Sequence, residues 1–475
     1  MVLELVDEAL GERLERIVVA HHRRRLRNVG QLEALNVPAG GWAAGEPPPR
    51  PGNRIELLVD GAEAFPAIVR EIGCARSRVC LAGWHFSPEL ELGGRQLREL
   101  LAEAAERVDV HVLAWAGAPL PLFHPSRREV REGRDRLVRG SRIRCALDER
   151  ERPLHCHHEK LVIVDERVAF VGGIDLSLLG GDRRDESAHP ARGELGWHDA
   201  ASRIEGPVTA DVADHFALRW REATGERLEA ADGRAADDAE GLELQIVRTV
   251  PNGIYDALPR GDFRIVESYL RALRSAERLI YLESQFLWSP ELVSVLADKL
   301  RNPPHEDFRL VVLLPARAKN GQEDTRGQLS VLHRADAGAG RFLACTLWQP
   351  GPRGRPVYVH AKVGIVDDRW LTLGSANLNE HSLFNDTELN VVAHDPELAR
   401  GTRLRLWSEH LECDPAQLEA APARIVDERW RPLAEEQLQR ARREGHSTRK
   451  LRLLPHLSRR SKALLGPLNG LLVDG

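Results

Sequence analysis

Two copies of one short pattern, His158-x-Lys160-x4-Asp165 and His360-x-Lys362-x4-Asp367, lie 202 residues apart in this chain. An imidazole can serve as nucleophile, general acid or general base near neutral pH, and an ammonium stabilises oxygens that gain negative charge. Side chains alternate along a strand, so His and Lys share a face, while the Asp, an odd number of residues further on, leaves it. The two His-Lys pairs therefore converge on substrate. Asp165 and Asp367 belong to the same catalytic motif, but their place on the alternation gives them the task of holding a turn. The repetition runs on outside the motif: Ser87-Pro88-Glu89-Leu90 returns as Ser289-Pro290-Glu291-Leu292, and Val171-Gly172-Gly173 as Leu373-Gly374-Ser375. Two related halves that assemble one site explain this better than coincidence.

Other residues take their roles from the comparison of the halves. Asp175 and Asn377 each lie 17 positions beyond the motif histidine. The small residues before them, Gly173 and Ser375, let backbone approach a bulky anion. Asp199 and Glu388 each stand eight residues before a proline and open a strand-like stretch. Either they orient the imidazoles by accepting the Nδ1 proton, or they are ordinary carboxylates at strand entries. Four groups around one phosphorus suit a two-step displacement. One His attacks and the other protonates the leaving alcohol, then activates water, while the lysines and Asn377 stabilise the pentacoordinate oxygens. This scheme needs no metal or cofactor, since the ammonium groups supply the charge a divalent cation brings elsewhere. His155-Cys156-His157-His158 has the composition of a zinc cluster, yet only His158 has a counterpart in the second half.

The elements that must position these groups read as α/β. Apolar runs at Ile55–Val59, Val79–Trp84, Val108–Trp115 and Lys160–Val164 alternate with helical patterns such as Ala62–Ile72. The order repeats in Leu242–Val247, Ile265–Leu273, Leu279–Phe286, Leu310–Leu314 and Lys362–Val366. The expected fold is two α-β-α sandwich domains related by a pseudo-twofold axis, each with a central mixed β-sheet, and an active site at their interface. The boundaries are an N-terminal helical arm and Pro/Gly linker (1–53), a first half (54–221), a linker (222–241), a second half (242–412) and a basic extension (413–475).

A net charge of −5 over 475 residues argues against a dedicated nucleic-acid binder, so no nucleic acid is expected. Six scattered cysteines without a C-x-x-C pair fit free thiols in a reducing compartment. The absence of a long apolar run points to a cytoplasmic location, and the basic terminus, where residues 440–462 hold nine Arg or Lys, reads either as a solvated helix face with a docked tail or as a site of peripheral membrane contact. Only six lysines occur in an Arg-rich chain, and two of them sit in the repeated motif, where a compact ammonium rather than a planar guanidinium is called for.

The paired motifs, with Gly172-Gly173-Ile174-Asp175 after the first and Gly374-Ser375-Ala376-Asn377 after the second, resemble the phospholipase D superfamily. The likeness covers nearly all of 54–412, including Trp197-His198-Asp199, Ile280-Tyr281-Leu282-Glu283-Ser284-Gln285-Phe286 and Leu406-Trp407-Ser408-Glu409-His410-Leu411. These segments are more similar to phospholipase D itself than to cardiolipin synthases. The resemblance implies His158 as nucleophile, His360 as acid and base, a phosphohistidine intermediate, and release of phosphatidic acid or transfer to an alcohol. It implies a phospholipid substrate at a membrane surface and gives Gly173, Asp175, Ser375, Gln285 and Trp197 to substrate binding. Glu283-Ser284-Gln285 replaces the family's usual Glu-Asn-Gln, and Gly180–Gly196 departs from the common continuation, both where a head group is read. A cardiolipin synthase-like phosphatidyltransferase and a nuclease are the alternative activities.

Overall fold

The computed structural model describes residues 2–119, 124–153, 155–178, 196–230, 240–317 and 322–455. In the first half, strands β1 (Arg50–Val59), β2 (Arg78–Gly83), β3 (Asp109–Trp115), β4 (Arg144–Asp148), β5 (Leu161–Val164), β6 (Val168–Gly172) and β7 (Ala200–Glu205) form a sheet. Its order is β1-β7-β6-β5-β2-β3-β4. In the second half come β8 (Leu242–Val250), β9 (Leu279–Glu283), β10 (Arg309–Leu313), β11 (Phe342–Trp348), β12 (Val363–Val366), β13 (Trp370–Gly374) and β14 (Glu388–His394). Their order, β8-β14-β13-β12-β9-β10-β11, matches the first position for position. In both, antiparallel pairing gives way to parallel pairing at β2-β3-β4 and β9-β10-β11, where strands such as Val110–Trp115 are buried throughout. The mixed α/β class expected from the sequence is what the chain adopts.

The halves are more closely joined than two separate sandwiches. β1 pairs with β8 as well as β7, through Arg50↔Leu244 and Asn53↔Leu242, so the sheets run into one another along their first strands. One face of each sheet contributes to a common apolar core, in which Ile163 and Val171 meet Ile365, Leu373, Trp220 and Trp407. Helices Asp60–Gly73 and Leu97–Ala105 cover the other face of the first sheet, and Arg264–Ser275 and Pro290–Arg301 that of the second.

Two sequence-based boundaries are corrected. The Pro/Gly stretch 38–52 is not a linker: Ala43 exchanges two hydrogen bonds with the buried Gln245 side chain, at 3.0 and 2.9 Å, and β1 already begins at Arg50. Arm residues Leu26, Leu35 and Val37 are buried against the helix Arg264–Ser275. The segment from 413 is likewise part of the body. Trp430 is fully buried with its ring 5.3 Å from that of Trp407, and Leu451–Leu453 adds a strand beside β11. The apolar tail 464–475 and much of the linker 222–241 lie outside the described residues.

Candidate active site

Each motif histidine stands just before a short strand whose far end is a tight hairpin. β5 pairs with β6, and β12 with β13, across turns in which Asp165, Glu166, Asp367 and Asp368 all take positive φ between 51° and 55°. The left-handed conformation is unfavourable for non-glycine residues, and the turn aspartates are held in it by backbone donors. Asp165 accepts from the N–H groups of Arg76, Ser77 and Arg78 at 2.9, 2.8 and 3.0 Å. Asp367 accepts from Glu277, Arg278 and Leu279, each at 2.7 Å. The structure therefore does not bring these two members of the catalytic set to the histidines; they anchor the turn at the far end of the strand, roughly 20 Å along the chain.

The other expected residues do converge. His158 and His360 face each other across the interface of the halves, with ring centroids 6.5 Å apart and planes at 71°. Both rings are buried, and the acid that supports each comes from the opposite half. His158 Nδ1 lies 3.0 Å from Glu388 Oε1, and His360 Nδ1 lies 2.6 Å from Asp199 Oδ2. The backbone makes the same exchange: His158 and Glu159 donate N–H to Thr387 O at 2.9 and 3.1 Å, while His360 and Ala361 donate to His198 O at 2.8 and 3.1 Å. Of the two readings of Asp199 and Glu388, orientation of imidazoles is the one the geometry fits.

Burial decides the electrostatics. It pushes the carboxyl of Glu388 up to about 8 and that of Asp199 up to about 7, with Lys160 and Lys362 respectively opposing the shift. It also brings the Lys362 ammonium down to about 8, against the attraction of Asp199. Each lysine donates to the carbonyl of its own motif histidine, Lys160 to His158 O at 2.7 Å and Lys362 to His360 O. Asp175 adds a carboxylate 3.4 Å from Lys160 Nζ. Asn377 donates to Gln285 Oε1 at 3.3 Å, and Gln285 donates to Tyr358 OH at 2.7 Å. Trp197 packs 4.6 Å from the His360 ring and 4.8 Å from Tyr358, which puts an aromatic wall beside the second histidine.

Gly173 and Ser375 are in contact with the two acids. A Cβ at Gly173 would stand 2.2 Å from Asp199 Oδ1, and the Ser375 hydroxyl donates to Glu388 Oε2. Both shape the carboxylates behind the histidines. The four-residue zinc cluster does not form. His157 Nδ1 is 2.8 Å from Thr387 Oγ1, whereas His158 is committed to Glu388.

Sequence reasoning missed several supports. Ser382 donates to Glu388 Oε1. Behind His360, His198 Nε2 lies 2.8 Å from Glu283 Oε2, and His410 Nε2 lies 3.0 Å from Glu283 Oε1. The two imidazoles hold the Glu283 carboxyl far below the usual range despite its burial, and the acids facing His198 keep it protonated. Behind His158, Glu159 pairs with His215 at 2.6 Å and with Arg219, which also reaches Asp148 at 2.9 Å. The one available signal was the clustering of His, Glu and Arg within otherwise apolar runs.

Comparison with known proteins bears on this geometry. A family model described as "Cardiolipin synthase, PLD-like domain" matches residues 269–406. Among curated proteins, the chain is 24% identical over 463 residues to phospholipase D A of Dictyostelium discoideum, covering 77% of this chain and 36% of that protein. It is 23% identical over 478 residues to phospholipase D2 of Bos taurus, covering 74% and 50%. It is 24% identical over 504 residues to phospholipase D1 of Saccharomyces cerevisiae, covering 77% and 29%. The chain thus spans half or less of the length of these relatives. Among solved structures, phosphatidylserine synthase of Haemophilus influenzae Rd KW20 superposes with a TM-score of 0.54 at 15% identity, over 88% of this chain and 98% of that one, a likeness of fold.

Proposed function

The chain belongs to the phospholipase D superfamily, and we propose that it is a phosphodiesterase of phospholipase D type acting on a glycerophospholipid. The observation that carries this reading is the crossed arrangement of two imidazole–carboxylate pairs, His158–Glu388 and His360–Asp199, facing each other between the halves with two lysines beside them. With Nδ1 of each ring engaged, Nε2 is the reacting atom. His158 Nε2 attacks phosphorus; a P–N bond forms as the P–O bond to the head-group alcohol breaks, and His360 gives that oxygen its proton. In the second step His360 takes a proton from water, the water oxygen bonds to phosphorus, and the P–N bond breaks to release phosphatidic acid. An alcohol in place of water yields a new phosphodiester. Lys160, Lys362 and Asn377 stabilise the equatorial oxygens. Hydroxyls and backbone donors fix the acids in advance, so little reorganisation accompanies the developing charge. The substrate lies in a membrane surface, approached peripherally with the help of the basic termini.

Transfer to the hydroxyl of a second lipid is the other reading, favoured by the description of the family model over residues 269–406. One set of assays separates the cases. Choline release from phosphatidylcholine vesicles supports hydrolysis, and conversion of phosphatidylglycerol to its dimeric lipid supports transfer. Cleavage of DNA alone, with both lipids untouched, would overturn the lipid reading and leave the phosphodiester one.

A further inference from the structure

His155, set aside above as part of a zinc cluster, has partners in the other half that no local pattern joins to it. Its Nδ1 lies 2.9 Å from His381 Nδ1 and 3.5 Å from Asp386 Oδ1. His381 and Asp386 come together because residues His381–Asn385 form a π-helical turn, closed by the Asp386 N–H donating to His381 O at 2.8 Å. An α-helical turn stacks residues four apart, whereas the wider turn stacks residues five apart, and such turns recur at functional sites. We propose that His155, His381 and Asp386 form a binding site for one divalent transition-metal ion of zinc type, which ties the first half to the second beside the catalytic cleft.

Three observations support it besides the spacing. Tetrahedral zinc with ligand bonds of about 2.0–2.1 Å separates its donors by about 3.3 Å, between the two distances seen here. Two imidazole nitrogens and a carboxylate oxygen are the donor set such an ion takes, with the fourth position left for water. Asp386 is completely buried, with Oδ1 taking the Cys156 N–H at 2.9 Å, while Oδ2 finds no hydrogen-bond partner, an expensive arrangement for an anion that a cation would relieve.

The location gives the ion a consequence. The same π-turn carries Ser382, whose hydroxyl holds Glu388, and Asp386 precedes Thr387, whose carbonyl receives the His158 N–H. An ion at this place is not at the reacting phosphorus. It fixes the loop that fixes Glu388, and therefore acts on the rigidity of the His158 side.

Chelator-stripped full-length protein titrated with Co2+ tests the site directly. The expected result is one equivalent bound with the visible spectrum of a tetrahedral nitrogen–oxygen site, displaced by Zn2+, and a rise in melting temperature on adding Zn2+. His155→Gln, at a partly exposed position, should weaken Co2+ binding by at least about 100-fold, more than loss of an outer partner costs, and abolish the thermal shift. Asp386→Asn, which can still accept the Cys156 N–H, is the second variant should the first lose stability in metal-free buffer. No binding, binding unchanged in both variants, or a thiolate charge-transfer band that puts the ion on cysteine would each overturn the proposal, and the two imidazoles would then be simply hydrogen-bonded to each other.

Discussion

Glu388, behind His158, has hydroxyls on both carboxylate oxygens, from Ser375 and Ser382, and Asp199, behind His360, takes the Ala200 N–H at 2.8 Å and stands against the bare backbone of Gly173. The two acids occupy equivalent strand entries, yet one is long and clamped by side chains while the other is short and seated in backbone. The wider supports differ too: a guanidinium, Arg219, sits in the network behind His158, and an imidazolium, His198, in the one behind His360. Duplicated halves thus preserve the position of an imidazole–acid pair, and the backbone bonds that carry it, while replacing the side chains behind it. This fits two histidines with different tasks, one forming a bond to phosphorus and one exchanging protons.

The largest effects should come from the histidines. His158→Ala and His360→Ala should each lower turnover of a natural phospholipid by about 10^3-fold or more, since members of one catalytic unit do not contribute additively. They should part company on a diester with an aryl leaving group, which departs without a proton. His360→Ala should regain formation of the covalent intermediate there, read as a burst in rapid mixing, and His158→Ala should not. Equal rescue of both would erase the division of tasks.

The acids come next. Asp199→Asn and Glu388→Gln should each cost on the order of 10^2–10^4-fold in kcat with binding largely retained, as an imidazole loses the partner that sets its tautomer. Gly173→Ser, which copies the second half into the first, should be nearly as harmful, because its Cβ would collide with Asp199. Ser382→Ala and Ser375→Ala each remove one donor to a buried carboxylate, a loss of about 1–3 kcal/mol that should appear in kcat. Steady-state kinetics on the five variants would rank them.

Acidity offers a further contrast. Lys362 keeps its proton below about pH 8 and loses it as pH rises through that value, so kcat/KM should fall on the alkaline side with a midpoint near 8. A rate that stays level to pH 10 would show that this ammonium does not serve the transition state. Smallest for activity, and largest for stability, should be Asp165→Asn and Asp367→Asn. Each turn loses charge on an acceptor of three N–H groups, about 1–3 kcal/mol by urea unfolding, while folded protein keeps most of its turnover. Chelation should lower turnover only modestly, because an ion held by His155, His381 and Asp386 steadies the loop behind Glu388 without touching the phosphorus.

The strands and both hairpins were legible in the sequence because alternation and apolar runs are local properties. His-x-Lys on one face and Asp at the turn follow from the same alternation. The crossing of acids was not legible. His158 and Glu388 are 230 residues apart and His360 and Asp199 are 161 apart, and nothing local distinguishes a partner in the same half from one in the other. The arm and the extension were misjudged for a related reason. Arg-rich and Pro-rich stretches look solvated, but Leu35 and Trp430 are single apolar residues whose burial is a tertiary event. His381 was invisible as a partner of His155 because helical periodicity counts three or four residues, whereas the turn that presents it counts five.

The crossed acids set a limit on how this molecule can be divided. Cut anywhere between the repeats, it yields one fragment with His158 and Asp199 and another with His360 and Glu388, neither containing a working dyad. Such fragments would be inert alone, and a chain carrying one repeat could complete a dyad of this kind only by pairing with a second copy.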